Sequence, residues 1–119
     1  LDAGALNALG YTLTDRTERY QEAEVYLSKA IELKPDEAVI IDSMGWLRFK
    51  QGQIALALEY LHNAYEKQPE SEIAAHLAEV LWRIGRQQEA KEIFEDALKK
   101  NPEDEYLLRF QQQFLQIKH

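Results

Sequence analysis

Glu72, His76 and Glu79 stand at i, i+4 and i+7, so a helix through them would present three groups able to hold a divalent metal on one face. Metal sites in helical proteins usually draw ligands from more than one helix, and the simpler reading of the trio is a solvated face with one histidine. His62 and His119 have no partner pattern. Asp42-Ser43-Met44-Gly45 lacks the Gly-x-Ser-x-Gly frame that exposes a nucleophilic serine, and Ser43 reads as a small residue on a crowded helix. Neither a phosphate-cradling glycine loop nor a dinucleotide fingerprint occurs. No catalytic residue, metal or cofactor is assigned, and the chain is read as a non-enzyme.

The bulk numbers narrow the partner classes. A chain of 119 residues, 45% apolar and 29% charged, suits one globular domain. A net charge of −7 disfavours nucleic acid and anionic membrane surfaces, both of which need a basic face. There is no cysteine, hence no disulfide framework or thiolate metal site. No apolar run has the length of a membrane span. The chain opens at Leu1 with neither Met nor signal peptide, which reads as a piece of a longer protein.

The elements that would position these residues repeat. Pro35, Pro69 and Pro102 each close an apolar-periodic run, 34 and then 33 residues apart. Ala30, Ala64 and Ala97 keep that spacing, as do Ala23, Ala57 and Ala90. Each copy holds two helical patterns. Gly52 and Gly85 suit the left-handed residue that ends a helix, while the first copy has a longer turn, Thr14 to Arg19, where Thr or Asp can cap. Asp36 and Ser71 are expected as N-caps of the first helices of copies two and three. Repeats are expected at about 3–35, 36–69 and 70–102. A last amphipathic helix, about 104–117 with Leu107, Phe110, Phe114 and Ile117 on one stripe, would cap the stack.

Ile41, Met44-Gly45, Arg48, Ala57, Leu61, Ala64 and Pro69 in the second copy, and Ala74, Leu77-Ala78, Leu81, Ala90, Phe94, Ala97 and Pro102 in the third, resemble the tetratricopeptide repeat. The resemblance implies an all-α fold: a superhelix of three helix hairpins plus a C-terminal capping helix. A narrower resemblance is carried by Asn7 to Thr17, Asp42 to Trp46 and Glu72 to Trp82. These stretches are similar to the C-terminal repeats of proteobacterial outer-membrane tetratricopeptide lipoproteins. That family is thought to supply periplasmic adaptors, one of which binds and activates a carboxy-terminal processing protease. The expected setting is therefore the bacterial periplasm, with a lipid-anchored N-terminus beyond this chain; the cytoplasm stays open as an alternative.

By the same resemblance the first helix of each pair lines a concave groove. The positions carried over are Asn7, Tyr11, Thr14 and Asp15; Asp42, Trp46, Phe49 and Lys50; and Ala75, Glu79, Trp82 and Arg83. Large rings beside hydrogen-bonding groups suit a peptide or protein partner. The alternative is that Trp46 and Trp82 merely fill space between adjacent repeats. The carboxylate clamp of chaperone-binding members needs Lys or Arg and Asn where this chain has Asn7, Tyr11, Ser43, Glu72 and His76, so a partner of mixed or somewhat basic character is expected. A second reading is a self-association module pairing through an exposed repeat end.

Overall fold

A computed structural model describes residues 1–115, which form α1 (Ala3–Arg16), α2 (Tyr20–Leu33), α3 (Ala38–Lys50), α4 (Ile54–Lys67), α5 (Ser71–Arg83), α6 (Gln87–Lys100), α7 (Glu105–Phe110) and a π-helical turn, Gln111–Leu115. No strand occurs among the described residues. The expected last helix is thus a short α-helix followed by a π turn, and Ile117 lies outside the described residues. Backbone contacts divide the chain into two compact units, Leu1–Lys67 and Gln68–His119.

Helix boundaries follow local chemistry. Asp2 caps α1, its carboxylate accepting from Ala5 N at 2.8 Å, and Asp104 caps α7 by accepting from Tyr106 N at 2.9 Å. Two expected caps are corrected. The N-cap of α3 is Glu37, not Asp36, and that of α5 is Glu70, with Ser71 already helical; neither makes a side-chain capping bond. The last turn of α3 closes with Gly52 at φ 82°, where Gln53 N donates to Arg48 O and Gly52 N donates to Phe49 O. This is the Schellman arrangement, and Gly85 repeats it after α5. In the turn without glycine, Thr17 takes over: its hydroxyl donates to Leu13 O and accepts from Arg19 N.

In the first unit α1 packs on α2, α3 on α4, and α3 also on both helices of the first hairpin. The hairpins close because small residues sit at the crossings. A Cβ added to Gly10 would stand 2.6 Å from Leu27 Cδ2, and one on Gly45 2.8 Å from Leu61 Cγ. Ala23, Leu27, Met44 and Leu47 form one core cluster; Ala3, Leu6, Ala30 and Ile40 form another. Arg48, standing where the repeat usually has a ring, reaches α2 instead: its Nη1 lies 2.8 Å from Glu24 Oε1 and 3.0 Å from Gln51 Oε1.

In the second unit α5 packs on α6, and α7 lies against α5 with a smaller contact to α6. Ala78, fully buried, takes the place of Gly10 and Gly45, and Phe94 that of Leu27 and Leu61. Gly10→Val should cost about 1–3 kcal/mol, since Leu27 must leave its position to admit the branched side chain. Urea denaturation at neutral pH reads this, and an unchanged midpoint would contradict the close approach.

Candidate functional site

The groove residues expected from the sequence separate into buried and accessible groups. On α3, Trp46 is 4% and Asp42 2% exposed, which corrects the expectation that both face a ligand. Trp46 is enclosed because its polar atom is satisfied inside the protein: Nε1 donates to Asp15 Oδ1 at the end of α1, at 3.2 Å. A paired indole can leave water without stranding its N–H. The Phe49 ring lies 5.2 Å from the indole, and Lys50 Nζ stands 5.1 Å over it. Thr14 is also buried, its hydroxyl donating to Gly10 O within α1.

What remains accessible in the first unit is Asp15 and Lys50, both exposed, with Asn7, Tyr11 and Phe49 half-buried. Asn7 adds an unusual feature, an enclosed Oδ1 that accepts no hydrogen bond among the described residues. Beside Lys50 a shallow depression opens at the α1–α2 turn, lined by Glu18, Arg19, Tyr20 and Gln51. Arg19 pairs there with Glu22. The surface therefore offers rings, an amide and both signs of charge, without a cluster of one sign.

In the second unit Trp82 is half-buried, but its neighbours are not those of an open groove. Phe110 meets it edge-on at 6.3 Å and Phe114 lies tilted at 6.4 Å, so the C-terminal segment packs over the indole. This corrects the placement of Trp82 as an open groove residue. The aromatic stripe of the last helix was the sequence signal for it. Lys91 Nζ stands 5.9 Å from the Trp82 ring, and the exposed Arg83 guanidinium 5.2 Å from Phe114. Ala75 and His76 are buried. Of the candidate metal trio Glu79 turns away, its Oε2 pairing with Arg83 Nε at 3.0 Å, while ligand atoms of Glu72 and His76 stay within 4.8 Å of one another and Glu72 accepts a hydrogen bond from Tyr106. Burial raises the Tyr106 pKa, and the Glu72 carboxylate raises it further.

Two links were not legible in the sequence, Asp15 to Trp46 and Glu24 to Arg48. Nothing in the spacing of either pair announces them, because they join different hairpins of the first unit. The Arg48 hydrogen bond holds the Glu24 pKa below its ordinary value against opposing desolvation, helped by the Arg48 charge and by Gln51.

The tetratricopeptide repeat profile matches residues 48–114, and a second profile of that name matches residues 3–37. The TPR repeat-containing protein PA4667 of Pseudomonas aeruginosa is 54% identical over 78 residues, 66% of this chain and 13% of that protein. The TPR repeat-containing protein MJ1428 of Methanocaldococcus jannaschii is 30% identical over 73 residues, 61% of this chain and 13% of that protein. The chain thus spans only a small part of these relatives. Among solved structures, TTC0263 of Thermus thermophilus, a thermophilic TPR protein, superposes with TM-score 0.81 at 25% identity, covering 97% of this chain and 64% of that one. The first TPR of Spaghetti (RPAP3), solved bound to the HSP90 peptide SRMEEVD, gives TM-score 0.79 at 18% identity, covering 98% and 97%. These likenesses show the all-α tetratricopeptide solenoid fold.

Two stability measurements check the geometry. Trp46→Phe should cost about 1 kcal/mol in urea denaturation, the usual net worth of one hydrogen bond, with the Asp15 carboxylate left to water. For the ion pair the sign follows from the lowered Glu24 pKa. Its contribution is present above the ordinary value of 4.5 and is lost as pH falls through the lower folded value. The stability gap between the chain and its Glu24→Gln variant should therefore narrow on acidification from pH 7. A gap that widened would reverse the assignment.

Proposed function

The chain belongs to the tetratricopeptide repeat family, and from that premise we propose that it is a non-catalytic protein-interaction module. It holds a polypeptide partner on the α1–α3 face of its first unit. The observation that carries this reading is the accessible Asp15, Phe49 and Lys50 gathered at the buried Trp46, with half-buried Asn7 and Tyr11 eight and four residues before Asp15 on α1. The rings supply contact area at low entropic cost, and the buried indole packs against that of Phe49. Asp15 and Lys50 side by side favour a partner carrying both charges over a bare terminal carboxylate. The Spaghetti domain resembles this chain in fold, yet the clamp positions here hold Asn7, Tyr11, Ser43, Glu72 and His76, so an HSP90-type terminus is not the proposed ligand.

The proposed setting is a longer periplasmic lipoprotein of a proteobacterium acting as an adaptor, with a carboxy-terminal processing protease as the candidate partner. Its support is the resemblance of Asn7 to Thr17, Asp42 to Trp46 and Glu72 to Trp82 to that family, together with the 54% identity to a Pseudomonas aeruginosa relative. A second reading, self-association, has an observation of its own. Leu1, Val25 and Leu33 are 82%, 54% and 56% exposed, and an open depression is lined by Leu1, Leu6, Tyr26 and Leu33.

Affinity capture from a periplasmic extract tests the first reading. The chain should retain a polypeptide partner that the Tyr11→Ala, Phe49→Ala double variant loses, with helical circular dichroism unchanged; Trp46 is left intact because it is core. Equal capture by both chains would remove the α1–α3 face from the account. Sedimentation tests the second: a concentration-dependent dimer abolished by Val25→Glu with Leu33→Glu supports it, and a monomer at every concentration rejects it.

A further inference from the structure

We draw no further inference here: the strongest candidate, the side-chain cluster of Glu72, His76 and Tyr106 where α7 meets α5, offers a metal only two ligands from a single helix, and the Glu72 carboxylate among them already accepts a hydrogen bond from Tyr106.

Discussion

The close approach of paired helices is the constraint on which everything else depends. At Gly10 and Gly45 the helix backbone comes so near its partner that Leu27 and Leu61 fill the space a side chain would need. Once the axes are drawn together there, alanines at 23, 30, 57 and 64 can bury completely, and the two hairpins of the first unit become thin slabs that stack. In the second unit Ala78 relaxes the constraint by one methyl group while Phe94 enlarges the opposite side. Both changes add volume, so this crossing carries a net increase over those at Gly10 and Gly45.

The polar links follow from that packing. Trp46 is buried between the stacked hairpins without stranding its N–H, because Asp15 at the end of α1 supplies an acceptor. Arg48 occupies a position that the repeat fills with a ring, and its charge is balanced across the hairpin boundary by Glu24. A pair this exposed adds little energy by itself. It links α3 to α2 directly before Phe49 and Lys50.

Much of the fold could be read from spacing alone, because a repeat writes the same physical requirement several times. Prolines at 35, 69 and 102 mark where hairpins close, and Gly52 and Gly85 mark left-handed turns that no other residue adopts as cheaply. Capping was less legible: Asp36 and Ser71 are good capping types, yet one residue's difference in where the chain enters the helix left both unused. Of the expected groove residues, Trp46 and Asp42 were misread in exposure. The repeat pattern located Trp46 and Trp82 on the correct helices, but a pattern of residue types does not say whether an indole finds a partner in the protein. Here one found Asp15 and the other found Phe110 and Phe114.

The reach of the side-chain links in the first unit has a kinetic consequence. Asp15 and Trp46 are 31 residues apart, Glu24 and Arg48 only 24, so each spans less than one repeat length. No contact of this kind requires distant parts of the chain to meet first, and loop-closure entropy stays small at every step. Such a chain can nucleate in any hairpin and grow outward, and the addition or loss of a whole hairpin leaves the order of assembly of the others unchanged.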